Sequence, residues 1–102
     1  MLKKKNRLTK KEFADVFSVG DKKFSDHFLF IKVDKKDEIK ISVAVSKKVE
    51  KLAVNRNASR RKIYNILQDN LEFFGDVNLI ILITKPILNI NKDKLEKEIK
   101  KI

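Results

Sequence analysis

A chain of 102 residues with 25 Lys and Arg against 14 Asp and Glu has a formal charge of +11 and room for one buried core, so a single domain is expected over 1–102. It has no cysteine, which excludes disulfides and thiolate metal sites and points to a reducing, cytoplasmic setting. The longest apolar run, Leu79 to Ile83, is far too short to cross a bilayer, and MLKKKN has no apolar segment behind it, so neither membrane insertion nor secretion is expected.

Such a charge gathers polyanions. Nucleic acid comes first, because each neutralised phosphate releases condensed counterions. An anionic membrane is the competitor, but no segment has the form of a long lysine-faced helix with aromatic anchors.

Residues 1–8, MLKKKNRL, read as a basic arm. A first helix follows. Thr9 and Glu12 match a capping box, Leu8 and Phe13 a hydrophobic staple, and Gly20 is placed to end the helix. Phe13, Val16 and Phe17 form its apolar face, for the core or for a partly open cleft. From Phe24 to Val33 the residues alternate as one strand, with Phe24, Phe28 and Phe30 on one face and Leu29, Ile31 and Val33 on the other. After a charged turn over Asp34 to Glu38, Ile39 to Ser46 is a second strand. Its other face (Lys40, Ser42, Ala44, Ser46) is small and polar and suits the floor of a groove. These two strands most simply form a hairpin.

Lys47 to Lys51 leads into a helix over Leu52 to Leu71 that holds three of the four arginines. Ile63, Ile66, Leu67 and Leu71 make its packing stripe. Arg60 lies on the shoulder of that stripe and Arg61 nearly opposite it, with Asn57, Tyr64 and Gln68 between them. Arg56 and Arg60 are like charges at i, i+4, and cations near a helix N-terminus oppose its dipole. A polyanion there would relieve both costs. Gly75-Asp76 closes the unit, Val77 to Thr84 reads as a strand buried on both faces, and Asn91 caps a last helix with Leu95, Ile99 and Ile102. The order αββαβα makes a small α+β sandwich with one βαβ crossover.

Catalytic constellations are absent from the pattern. His27 is the sole histidine and fits a structural or surface role; the carboxylates are scattered among turns and helix ends, and there is no glycine-rich phosphate loop. Binding has better support: cations for phosphates and nearby phenylalanines for stacking unpaired bases, a pairing that suits structured and single-stranded RNA.

Four stretches in series, NRLTKKEFADVF, ISVAVSKKV, AVNRNASRRKIYNIL and the strand into TKP, span nearly the whole chain, which resembles the protein subunit of bacterial ribonuclease P. The resemblance implies a ribosomal-protein-S5-domain-2-like fold whose βαβ crossover is left-handed, against the usual rule. It implies a subunit of an endoribonuclease whose chemistry, removal of the 5′ leader from precursor tRNA, belongs to a large RNA with bound Mg²⁺. No catalytic or metal-binding side chain and no obligate protein partner is then expected. The implied partners are the ribonuclease P RNA and precursor tRNA. Arg56 and Asn57 match two members of an Arg-Asn-Arg signature whose third position is Ala58 here, followed by Ser59 where an apolar residue is usual. Arg60 and Arg61 match the following basic pair, and Arg60 or Lys62 could compensate for the missing guanidinium. With Tyr64 these make the implied contact set for the catalytic RNA. The leader cleft implied is Arg7, Phe13, Phe17, Ser46, Lys47 and Lys48, with Ile31 aligned to a third aromatic and Phe30 one residue away on the other face. Glu50-Lys51 replaces a glycine often found before the signature. Other readings are a general or ribosomal RNA-binding module and, more remotely, a nuclease active alone.

Overall fold

The computed structural model describes residues 7–34, 39–75 and 77–101; the rest of the basic arm, most of the charged turn, Asp76 and Ile102 lie outside them. Helix α1 is Lys10–Val19, strands β1, β2 and β3 are Asp21–Phe24, Phe28–Asp34 and Lys40–Val45, helices α2 and α3 are Ala53–Asp69 and Leu71–Phe74, strand β4 is Val77–Ile83, and helix α4 is Lys92–Ile99. The strands form one sheet in the order β1-β2-β4-β3, with β4 antiparallel to β2 and parallel to β3. The βαβ unit is therefore β3-α2-β4.

Two expectations need correction. The strands read as a hairpin, β2 and β3, are not neighbours, because β4 lies between them. The hairpin is instead β1 with β2, within the stretch read as a single strand. A turn over Ser25 to His27 divides that stretch, and Glu98 of α4 holds it. The Glu98 carboxylate accepts from the His27 N–H at 2.8 Å, lies 2.8 Å from His27 Nδ1 and accepts from the Ser25 hydroxyl. The turn reverses the facing of Phe24. Phe24 stands opposite Leu29 in the register, and directly opposed residues share a face, so it leaves the side of Phe28 and Phe30.

The sheet has two covered faces. On one, Phe28, Phe30, Ile41, Val43, Leu79, Ile81 and Ile83 pack beneath Ile63, Ile66 and Leu67 of α2 and Leu95 and Ile99 of α4, most of them with no solvent exposure. This is the main core. On the other face Val16 of α1 packs on Ile31 and Ile80, with Leu8, Phe13, Leu29, Val33 and Leu82 around them. That smaller cluster decides where α1 sits.

Helix α1 forms where the sequence places it. The Thr9 hydroxyl accepts from the Glu12 N–H at 3.2 Å, and the Glu12 carboxylate accepts from the Thr9 N–H at 3.0 Å. Gly20 ends the helix for a reason of space. Its φ of −70° is open to any residue, but a Cβ there would lie 2.6 Å from both Ile31 Cγ2 and the Val16 carbonyl oxygen. The missing side chain lets α1 settle on β2.

Candidate RNA-binding groove

Helix α1 crosses the sheet obliquely. At its start the Glu12 carboxylate meets the Lys40 ammonium at 2.7 Å, where β3 begins; at its middle Val16 sits on Ile80 and Ile31; at its end Gly20 abuts β2. The Lys40 hydrogen bond, then that from the Thr9 N–H, holds the Glu12 carboxyl at about 2, against 4.5 for an ordinary glutamate. Successive side chains turn about 100° around a helix. Since Glu12 flanks the strand-start side of Val16, Phe13 and Phe17 lie on the opposite flank, toward the C-terminal ends of β3 and β4. Their rings stack at 6.2 Å between centroids, with Phe13 half-buried and Phe17 43% exposed.

The register defines what lies before them. Lys22, Ile31, Ile80 and Ser42 form one row across this face, with Ile31 and Ile80 fully buried under α1. The next row is Phe24, Leu29, Leu82 and Ala44. Here Leu29, Leu82 and Ala44 are only half-buried, so this row is the open floor of a groove whose wall is α1. Beyond Ala44 the floor passes into a cleft of about 490 Å³ lined by Ser46, Lys48, Val49, Leu82 and Thr84. Ser46, Lys47 and Lys48 are all exposed there. Arg7, also exposed, runs beside the outer edge of β3 in a parallel bridge with Ile41. Of the small, mildly polar face expected of β3, Ala44 lies on this floor and Ser46 at its end, while Ser42 stands in the preceding row and Lys40 pairs with Glu12.

The implied cleft set thus divides. Arg7, Phe13, Phe17, Ser46, Lys47 and Lys48 lie on or beside the groove. Ile31 is on the correct face but covered by α1, and Phe30 points into the main core at 2% exposure. Neither Phe30 nor Ile31 offers a ring or surface to a ligand. Phe24, which the sequence reading put on the other face, is 75% exposed at the end of the floor. Period-two counting missed it because the count ran through a turn.

The arginine-bearing helix divides as well. Asn57 and Arg61 are exposed and Arg60 is half-exposed, donating to the Asn57 side-chain oxygen. Arg56 donates to the Glu50 and Lys51 carbonyls at 2.9 and 2.8 Å, bracing the loop that leads back to Lys48. That brace joins the basic end of the groove to the basic start of α2. Ser59 is fully buried and donates its hydroxyl to the Asn55 carbonyl at 2.9 Å. Two members of the implied contact set turn inward. Tyr64 is 7% exposed in the main core, where its hydroxyl accepts from the Val43 N–H. Lys62 directs its ammonium to the carbonyls of Ile87, Leu88 and Ile90, the last at 2.6 Å, tying α2 to the segment before α4. Counting the stripe from isoleucine and leucine alone left Tyr64 outside it.

Among the described residues no three of His, Cys, Asp and Glu stand where they could share a metal ion, and no helix is long and apolar enough to cross a membrane. An apolar floor, an aromatic wall and a cationic end at Ser46 to Lys48 mark a small α+β domain of the RNA-binding class. The comparisons agree with that class. A family profile described as Ribonuclease P matches residues 2–102. The chain is 35% identical over 101 residues to the ribonuclease P protein component of Desulfosudis oleivorans, covering 95% of this chain and 82% of that one. It is 32% identical to that of Bacillus velezensis, covering 96% and 86%. In structure it is similar to a mutant RNase P protein of Staphylococcus aureus, with a TM-score of 0.84 at 19% identity over 97% of this chain and 86% of that one. It is also similar to the RNase P protein of Thermotoga maritima, with a TM-score of 0.81 at 17% identity over 94% and 96%. The chain belongs to the ribonuclease P protein family, the RNA-binding protein component of that endoribonuclease.

Proposed function

We propose that this protein assists a catalytic ribonuclease P RNA in the cytoplasm by holding the single-stranded 5′ leader of precursor tRNA in the groove beside α1. The exposed basic side chains at the start of α2 dock on the catalytic RNA. The observation that carries this reading is the half-open row Leu29, Leu82, Ala44 beside the stacked Phe13 and Phe17, ending at Ser46 to Lys48.

Such a groove suits a strand whose bases are free to stack and whose phosphates meet lysines. Base stacking on an aromatic ring is worth roughly 1–3 kcal/mol per base. Mature tRNA has no leader, so that energy accrues to the precursor alone, and the effect is selective retention of substrate over product. Mg²⁺ belongs, on this reading, mainly to the RNA. The described side chains offer no cluster suited to it, and the protein's part is binding and orientation.

The test is multiple-turnover cleavage of a precursor tRNA at low Mg²⁺ by the source organism's ribonuclease P RNA, by this protein, and by both. Cleavage at the mature 5′ end that requires the RNA and is strongly raised by the protein supports the reading. Absence of stimulation would favour a general or ribosomal RNA-binding module, and cleavage by protein alone would place the chemistry in these side chains.

A further inference from the structure

We propose that Phe24, at the β1 end of the groove floor, is a further stacking residue for an unpaired leader base. It supplies at the edge of the sheet the aromatic surface that Ile31, buried under α1, does not. The proposal rests on the leader-binding reading and extends the site to a strand outside it.

A lone exposed phenylalanine is ordinary and would need no explanation. Phe24 differs by its alignment. It stands opposite Leu29, Leu29 stands opposite Leu82, and Leu82 is paired with Ala44, so all four project from the α1 face in one line across the strands. With strands about 4.8 Å apart the line is roughly 15 Å long. Its middle is half-buried and apolar, its Ala44 end opens to Ser46 and Lys48, and its other end is the ring of Phe24, 75% exposed.

A cation connects this ring to the wall of the groove. Lys22 is two residues before Phe24 and so shares its face. Its ammonium lies 5.6 Å from the centroid of the Phe17 ring and donates to the Phe17 carbonyl at 3.3 Å. The stacked Phe13–Phe17 pair, the Lys22 ammonium and the Phe24 ring therefore follow one another along the α1 side of the groove toward the free edge of the sheet. Alternating rings and cations match the alternating bases and phosphates of a single strand. Lys23, on the opposite face, is engaged by the Lys101 carbonyl at 2.8 Å and takes no part. The position of Phe24 is also fixed from a distance, since Glu98 locks the turn that brings its ring round to this face.

The measurement is the affinity of the reconstituted holoenzyme for three RNAs: a precursor with a leader long enough to cross the groove, one with a single-nucleotide leader, and mature tRNA. Phe24→Ala, Phe24→Trp and Phe17→Ala are compared with the parent protein. The expected result for Phe24→Ala is a five- to tenfold loss for the long leader, the low end of base–aromatic stacking, with no change for the other two RNAs. Phe24→Trp should restore or exceed parental affinity. Phe24→Ala without effect on the long leader, while Phe17→Ala is impaired, would overturn the role of Phe24 and leave the groove reading standing. Equal loss for all three RNAs would reduce Phe24 to a structural residue. No precursor-specific loss in either alanine variant would overturn the leader reading itself, and this proposal with it.

Discussion

The hydroxyl of Tyr64 accepts a hydrogen bond from the main-chain N–H of Val43 at 3.2 Å, on the outer edge of β3 beyond its bridge to Arg7. Val43 is 4% exposed, so without that oxygen its N–H would be buried and unmet. Such a loss costs roughly 1–3 kcal/mol. Tyr64→Phe should lower unfolding stability in urea by about that amount and leave affinity for the catalytic RNA unchanged. Full stability with weakened RNA binding would return Tyr64 to the surface.

Arg61 and Lys62 are adjacent in sequence and should behave oppositely. Arg61 is exposed on α2, and its loss should weaken assembly with the catalytic RNA and reduce the slope of log affinity against log salt by about one. Arg60→Ala should act in the same direction. Lys62 bonds three carbonyls of the segment before α4, so Lys62→Met should lower the Tm by several degrees while assembly of the folded protein is kept. Titration of the RNA with each variant, beside its melting curve, separates the two effects.

Gly20→Ala tests the seating of α1. The new Cβ would meet Ile31 Cγ2 and the Val16 carbonyl at 2.6 Å, so the helix must shift away from β2. Overpacking of this kind costs about 1–3 kcal/mol. Because α1 is the wall of the groove, precursor affinity should fall along with thermal stability; a variant as stable as the parent would show that the contact yields freely.

Acid should loosen the same helix. The folded Glu12 carboxyl sits at about 2 against 4.5 when unperturbed, so its stabilisation is present above 4.5 and lost as pH falls toward 2. Glu98 adds to this with the same sign. Burial raises its carboxyl, but hydrogen bonds from Ser25 and His27 outweigh that and hold it below its usual value. Melting temperatures measured from pH 6 to pH 3 should drop more steeply in the parent than in Glu12→Gln, and identical profiles would contradict the Glu12 assignment.

How far the sequence can be read depends on the range of the contacts involved. The Thr9–Glu12 box, the alternation of Ile39 to Ser46 and the Ile63-Ile66-Leu67 stripe are local patterns, and each forms as its spacing requires. The hairpin assigned to β2 and β3 fails because strand order is set by a distant segment. The nearly continuous apolar run of Val77 to Ile83 already marked a strand covered on both faces, and placing it centrally separates the other two. The turn after Phe24 contains no glycine, proline or asparagine and is held by Glu98, more than seventy residues away in the chain. Ser25 and Asp26 favour a turn locally, but the run of aromatic and β-branched residues around them outweighed that signal, and the facing of Phe24 was lost with it. Arg56, Lys62 and Tyr64 show the same limit: residue type marks a cation or a phenol, but only tertiary contact decides whether it turns to carbonyls, to the core or to an RNA.

The most direct test of the groove is the affinity of the holoenzyme for precursor and mature tRNA, measured with the parent protein and with Phe17→Ala. Phe17 is 43% exposed on the wall and contributes little to either core, so the variant should fold. The account predicts a loss of about 1–2 kcal/mol for the precursor, close to a tenfold change, with mature tRNA unaffected. Equal loss for both RNAs, or none for either, would contradict it.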